Sequence, residues 1–539
     1  MLGRFLRKTS SSVTWAAGLL GVASLASRFL GMLRDRLMSG TFGAGAELDA
    51  YYAAFRAPDL MFALFVGGAI SAGFIPVYTR YVTHDVKDRM GDIASEFASR
   101  IISVLGGVLA VFSVLGAALA HWFVPLYTSG FDSATQHLTI DLTRIMFAAI
   151  FFLGLSAVLS GILQTYKRFV VYSLAPVAYN AGIIAGIVFL ARPFGIYGVA
   201  IGVVAGAFLH MGIQLLSVLR LGFRFSWLFD FREAGVRELT RLMLPRTASL
   251  ALEHVNLIIL TGVASTLGAG SIAVFNLAFN LQSLPIGVLG VSFAVASFPF
   301  ISELAERGDR QGVQREFSKI VRTVMYLIIP ATVAMLLLRA QVVRLVLGTG
   351  NFDWGNTVDT ADALAFFSIS LFAQALLPFI VKTFFAFHNV KWPLLVVAFS
   401  VVFERLLAWQ LVKLGLGTSG LVLAFSFSAA LRIVLLWALL RIVVGALDER
   451  RILKSLAIMM VAAVAMGVAV QGSKILIGNT VNMQSFLGVL TQGATAASVG
   501  IAVYLAVTYL LGSEEARQLV GSFTARFAAV PVTDQYEQH

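Results

Sequence analysis

Cysteine is absent from the 539 residues, which excludes disulfides, thiolate chemistry and cysteine-ligated metal. Charge is scarce too. Asp, Glu, Lys and Arg make up 13% of the chain, about half the share usual in soluble proteins. No His/Glu cluster has metal-ligand spacing. No glycine pair follows a strand, so phosphate-loop readings fail. The outer loops are short, the longest about 15 residues, and hold no paired carboxylates for acid–base work, which argues against a membrane glycosyltransferase or ligase.

What the chain has instead is apolar surface, 58% of residues with a mean hydropathy of +0.86. Apolar runs of about 20 residues recur throughout, each long enough to cross a hydrocarbon core of about 30 Å. Barrel strands would show alternating segments of about 10 residues, so the runs predict an all-α polytopic membrane protein. About fourteen spans are expected, at 13–38, 48–78, 97–125, 139–163, 170–191, 196–219, 240–266, 271–302, 319–346, 361–386, 391–413, 418–444, 452–477 and 484–511. The basic N-terminus reads as the lead into a retained first helix, because the apolar region behind it is too long, carries charges and lacks a cleavage site.

The formal charge of +12 would suggest nucleic acid in a soluble protein. Here its placement gives another meaning. Arg4, Arg7 and Lys8 precede the first span, and Arg80, Lys87, Arg89, Lys167, Arg168, Arg220, Arg224, Arg232, Arg237, Arg307, Arg310, Arg315, Lys319, Arg450, Arg451 and Lys454 fall in alternate loops. The intervening loops are poor in Lys and Arg. The positive-inside rule then puts both termini in the cytoplasm, with no nucleic-acid partner.

A duplication is also visible. "YGVAIGVVAGAFLHMGIQLLSVLR" resembles "SGLVLAFSFSAALRIVLLWALLR" about 222 residues later, and "SAGFIPVYTRY" lies at nearly the same offset from "VASFPFISELA". This predicts parallel repeats with a substrate site between lobes: 1–235 (spans 1–6), 236–446 (spans 7–12), and 447–539 with the last two spans and a cytoplasmic tail.

Ionisable residues inside spans are functional candidates, since each costs about 2.5–3.5 kcal/mol at a helix centre. "ASRFLGMLRDRL" carries Arg28, Arg34, Asp35 and Arg36. Arg28 lies about 15 residues into its helix, too deep to snorkel easily, and is expected to face a polar cavity. Asp35 is expected to pair locally and Arg36 to sit at the interface. In the second span, Asp49 and Arg56 are seven apart, so they share a face. Pro58 and Gly67–Gly68 predict a bent or broken helix that lines a cavity. With Arg28, Arg34 and Arg56 set against Asp49, the cluster reads as net cationic and suited to phosphate. Later polar candidates are Glu253, Asn280, Gln282 and Glu404. Glu404 beside Arg405 reads either as an ion-coupling carboxylate or as a structural pair. His210 and His254 read as packed helix residues.

At "ASRFLGMLRDRLMSGTFGAGAELDAYYAAFRAPDL", "GGAISAGFIPVYTRY", "LAPVAYN" and "LPIGVLGVSFAVASFP" the chain resembles the MurJ/MviN lipid II flippases of the multidrug/oligosaccharidyl-lipid/polysaccharide exporter superfamily. The resemblance implies a transporter, not an enzyme, that flips undecaprenyl-diphosphate-linked lipid II by alternating access across the bacterial inner membrane. It implies a cationic cavity between lobes and an apolar groove for the lipid tail beside the last two helices. Arg28, Arg34, Asp49 and Arg56 match the family's functional positions, with Asn280 and Gln282 as second-lobe substrate candidates. Glu404 and Glu253 are candidates for ion coupling. No cofactor is implied beyond coupling to sodium, proton or membrane potential, and the partners are the lipid-linked glycan, membrane lipids and cell-wall synthesis machinery. The chain departs from the family at Phe62, Ala63, Gly67, Leu260, Asn280 and Ser283, where members often carry charge. The alternatives are a flippase for another polyprenyl-linked polysaccharide and a non-transporting homologue.

Overall fold

The computed structural model describes residues 13–67, 73–82, 90–230, 232–519 and 521; for 13–20, 242, 244–246 and 249 it describes the backbone alone. Arg4, Arg7, Lys8, Gly68, Lys87 and Arg89 lie outside the described residues. Among those described, every regular element is helical. In chain order these are α1 (Val13–Phe42), α2 (Ala46–Ala54), α3 (Arg56–Phe62), α4 (Ile75–Val82), α5 (Asp92–Tyr127), α6 (Ser133–Thr165), α7 (Phe169–Ala185), α8 (Ala191–Phe194), α9 (Ile196–Arg220) and α10 (Ala234–Ser265). They continue as α11 (Ser271–Pro285), α12 (Ser292–Glu306), α13 (Arg310–Leu337), α14 (Arg339–Val346), α15 (Trp354–Ile369), α16 (Leu371–Ala386), α17 (Lys391–Lys413), α18 (Gly417–Val444), α19 (Glu449–Gly478) and α20 (Phe486–Leu510).

Among the described residues, ten helical stretches are long and apolar enough to cross a membrane, or eleven if α15 and α16, bent by 48°, form one span. They coincide with the expected segments from 97–125 onward, apart from 240–266. One expected segment, 319–346, is split: the helix breaks at Leu338, which leaves Arg339 and Arg344 on the short α14.

The expected break in the second segment is present, and proline explains it. Pro58 has no N–H to give the Ala54 carbonyl four residues back, and its ring crowds that carbonyl. The helix accordingly ends at Ala54 and restarts at Arg56, which puts Pro58 in a first turn where it is tolerated. A π-helical turn, Ala63–Gly67, follows α3. Two further π turns, Gly186–Leu190 after α7 and Ile286–Val291 after Pro285, interrupt other spans. Such wide turns are frequent at functional sites.

Packing divides the chain into two compact units, residues 1–278 with 346–363 and 397–424, and residues 279–345 with 364–396 and 425–539. In the first, α9 lies against α6 and α7. A methyl at Gly182 would come within 2.3 Å of the Gly206 Cα, so α7 and α9 touch backbone to backbone. Small residues permit this approach, which lets dispersion hold helices together where lipid gives no hydrophobic drive.

In the second unit, α19 and α20 pack on each other, and α19 packs on α13. The buried Arg322 of α13 donates to Glu515 at 2.5 Å and to Glu514 at 3.0 Å, and Ser455 of α19 donates to Glu515 at 3.1 Å. Tyr504 donates to the Tyr326 carbonyl at 3.1 Å. Removing one partner of a buried pair costs about 3–5 kcal/mol, because the other charge is left uncompensated. Arg322→Ala is therefore expected to lower the thermal transition in detergent, and Arg322→Lys to recover part of the loss; a transition unchanged in Arg322→Ala would show that the pair adds nothing.

Candidate functional site

The candidate residues of the first unit gather around α1, α2 and α3. On α1, Ser27 and Arg34 are seven apart and share the stripe facing α7. There Asn180 bridges them: its Nδ2 donates to the Ser27 hydroxyl at 3.3 Å and to the Pro176 carbonyl at 3.1 Å, while its Oδ1 accepts from Arg34 at 3.4 Å. Arg34 also donates through Nε and Nη2 to Asp35 Oδ1, at 3.0 and 2.8 Å. A guanidinium has five N–H donors. These contacts engage three of them, so two remain for a ligand.

Arg28 is different. It lies beside Ser27, half-buried, and has no hydrogen-bond or ion-pair partner among the described residues. No carboxylate pairs with its cation among the described residues, and it sits on a stripe one residue around from the α7 contact. Tyr51, Tyr52 and Tyr179 lie within electrostatic reach of Arg34, and the Tyr52 hydroxyl is buried without a hydrogen-bond partner among the described residues.

Within this cluster Arg34 pairs with Asp35, and Asp49 and Arg56 are buried against other helices. Asp49, 1% exposed, accepts from the backbone N–H of Gly270 at 2.6 Å and of Ala273 at 2.7 Å. It thus caps the start of α11 from another part of the chain, where helix N–H groups are otherwise unpaired and negative charge is favoured. Gly270 is required there. Its φ is +93°, and a Cβ would lie 2.2 Å from the Ala44 carbonyl. Arg56 is also buried, donating to the Thr261 hydroxyl and to Asn276 Oδ1, both at 2.8 Å. Thr261 passes its own proton to the Leu257 carbonyl and Asn276 donates to that of Ile272, so both present only an acceptor to the guanidinium. Two turns apart, Asp49 and Arg56 are anchors of the second segment onto α10 and α11.

The end of α1 is tied down as well. Arg36, expected at the interface, donates to the Val346 carbonyl at 3.4 Å, Ser39 to that of Leu347 at 3.2 Å, and the Asn351 amide to that of Gly40 at 2.8 Å. Asn356 accepts from the Ala44 amide.

The remaining candidates lie elsewhere. Glu404 is buried and takes the Asn256 amide at 3.3 Å on both oxygens, while Arg405 is exposed and lines an apolar cavity. Glu253 is exposed. In the second unit Gln282 is fully buried and exchanges amide hydrogen bonds with Gln374, at 3.3 and 2.9 Å, while Asn280 lies half-buried two residues earlier on α11. His210 is a packed residue, 2.6 Å from the Ser156 hydroxyl. Asn180 and Thr261 escaped the sequence reading as site residues. For Asn180 a signal existed, an amide inside the apolar run "LAPVAYN".

Two apolar cavities accompany these clusters. One, of about 730 Å³, is lined in the first unit by Leu60, Met61, Phe65, Leu119, Ile258 and Arg405, among others. The other, of about 250 Å³, lies in the second unit between α13, α16, α18 and α19, with Arg322 and Glu449 among apolar walls such as Met325, Phe372 and Leu456.

The family model described as lipid II flippase MurJ matches residues 38–491. The lipid II flippase MurJ of Burkholderia cenocepacia is 31% identical over 427 residues, 78% of this chain and 82% of its own length. Of solved structures, a lipid II flippase MurJ in an inward closed conformation aligns with a TM-score of 0.75 at 23% identity, covering 93% of this chain and 99% of that one. An inward-facing multidrug resistance MATE transporter of the MOP superfamily aligns at 0.64 and 18% identity, covering 78% and 96%. These two likenesses carry the fold, and the sequence match carries the family. This multi-pass membrane protein belongs to the lipid II flippase MurJ family.

Proposed function

We propose that the chain is a lipid II flippase, carrying an undecaprenyl-diphosphate-linked peptidoglycan precursor from the inner to the outer leaflet of the bacterial cytoplasmic membrane. On this reading fourteen spans form two six-helix lobes, 1–235 and 236–446, plus a final pair, with both termini cytoplasmic. The lobes rock in alternating access, and the chain catalyses no bond breaking.

One observation supports the reading beyond family membership: Arg28 is a half-buried cation with no partner among the described residues, on the same helix as an Arg34 that keeps two open N–H donors. A diphosphate supplies the missing negative charge, and a guanidinium fork matches its oxygens. The unsatisfied Tyr52 hydroxyl offers a further donor. Asn280 and Gln282 serve as uncharged second-lobe contacts to the glycan. Asp49 and Arg56 hold the second segment in register while the substrate is bound. The crevice between α13 and α19 suits part of the prenyl tail.

For coupling, Glu404 is better placed than Glu253. It is buried and takes the Asn256 amide, so a change at its carboxylate would alter a packed contact between α10 and α17. Leu260, in a position some relatives use for sodium, offers no ion ligand in its side chain.

Complementation tests the proposal. The chain is expected to restore growth to bacteria depleted of their own lipid II flippase; lysis on depletion, despite normal membrane levels of the chain, would contradict it.

A further inference from the structure

The connection from α9 to α10 does not loop away from the bundle. Residues 223–229, "FRFSWLF", run extended along α5 in a regular ladder. The amides of Arg224, Ser226 and Leu228 donate to the hydroxyls of Ser95, Ser99 and Ser103 at 2.9, 3.2 and 3.3 Å. Ser95 also donates back to the Arg224 carbonyl at 3.1 Å. The register follows from geometry: two residues of extended chain advance about 6.6 Å and four residues of helix about 6 Å. A serine every fourth residue on α5 therefore meets every second amide of the segment.

That pairing leaves alternate side chains on one face, and on that face every residue is aromatic. Phe223, Phe225, Trp227 and Phe229 follow one another with ring centroids 6.4, 4.9 and 6.0 Å apart. Phe223 is buried, but Phe225, Trp227 and Phe229 are 42%, 75% and 58% exposed. A ribbon of exposed rings is unfavourable in water.

The length of α5 says what covers it. Its 36 residues reach about 54 Å, some 24 Å more than a hydrocarbon core. Asp92, Glu96 and Arg100 sit in its first nine residues, and none of Asp, Glu, Lys or Arg follows up to Tyr127. The surplus is thus at the Asp92 end, where the segment lies. The rings start beside this charged turn and end at Gly107, where Phe229 packs so closely that a methyl would sit 3.2 Å from its ring. That is the level at which a helix passes from headgroups into acyl chains, where Trp is favoured.

Charge sharpens the choice of partner. Arg224 lies within the ribbon and Arg220, Arg232 and Arg237 flank it, all exposed and none in an ion pair among the described residues. The nearby acids are committed: Asp230 accepts from the Arg232 amide, Glu233 from Tyr81, and Glu238 pairs with Arg80.

We infer that residues 223–229 are a membrane-docking strap, seating its aromatic face in the interfacial layer and its flanking arginines on anionic phospholipid headgroups. The strap anchors the connection between α9 and α10 to the leaflet, a role separate from substrate translocation.

The test uses the full-length protein in nanodiscs made with phospholipids brominated either near the carbonyls or near the chain ends. Wild type is compared with Trp227→Phe, which keeps a ring between Phe225 and Phe229; the other tryptophans serve as the internal reference. Expected is a component of wild-type emission that shallow bromines quench more than deep ones and that Trp227→Phe removes. Identical quenching of the two proteins, or a Trp227 component quenched mainly by deep bromines, would overturn the interfacial placement. In parallel, native mass spectrometry counts phosphatidylglycerol retained against phosphatidylcholine. Combined Arg220→Gln, Arg224→Gln and Arg232→Gln is expected to lower that preference severalfold, and an unchanged preference would overturn the anionic partner.

Discussion

Arg28→Ala is expected to stop precursor translocation while the protein still inserts and folds. The reason is the absence of a partner. Most charge removals inside a span leave an opposite charge behind, so lost activity is confounded with lost stability. Arg28 has no such partner among the described residues, so its loss orphans nothing. What it removes is a cation for the substrate diphosphate. A charge-assisted hydrogen bond contributes about 1.5–3 kcal/mol, or roughly 10- to 150-fold in affinity. Arg34 is a less clean target. Its replacement by Ala takes the guanidinium from the buried Asp35 and the donor from Asn180, so stability falls as well. Arg34→Gln, which keeps N–H donors, separates the two effects. Insertion is read from membrane levels and from the elution profile in detergent; wild-type flux in Arg28→Ala would remove this residue from the site.

Asp49→Ala is expected to have the second large effect, for a different reason. It leaves two buried backbone N–H groups, those of Gly270 and Ala273, without an acceptor. Each such group costs about 1–3 kcal/mol, so the start of α11 loses about 2–6 kcal/mol of anchoring to the second segment. On the proposed alternating-access reading, loosening this contact is expected to cut translocation and also to lower the thermal transition. Asp49→Asn keeps one acceptor oxygen and loses the charge that favours a helix N-terminus, so it should fall between. Loss of transport in Asp49→Ala with no change in thermal transition would instead point to direct substrate contact.

Much of the architecture was legible because membrane physics writes it into composition. Span length and Pro58 give the helices and the break in the second segment without tertiary information. The charged candidates were legible for the same reason, since Arg28 and Asp49 stand out against apolar neighbours. Their roles were not. Asp49 finds its acceptor duty 221 residues away, and Arg56 finds Asn276 220 residues away. No local period encodes those encounters. Periodicity placed Asp49 and Arg56 on one face, which is correct, but that face meets other helices. Glu404 shows the same limit: Asn256, whose amide it takes, is 148 residues away. The strap along α5 combined two weak patterns, serines at every fourth residue and aromatics at every second, and only their juxtaposition gives either one meaning.

The central claim is that this chain moves lipid II with Arg28 and Arg34 as its phosphate contacts. The direct measurement is outer-leaflet lipid II in bacteria depleted of their own flippase and expressing either this chain or its Arg28→Ala, Arg34→Gln form. A lipid II-cleaving protein that cannot cross the membrane, added from outside, reports the exposed precursor. Cleavage restored by the wild-type chain and absent with the variant, at equal membrane levels, is the predicted result. Equal cleavage with both would contradict the role of the arginines, and none with either would contradict lipid II as the cargo.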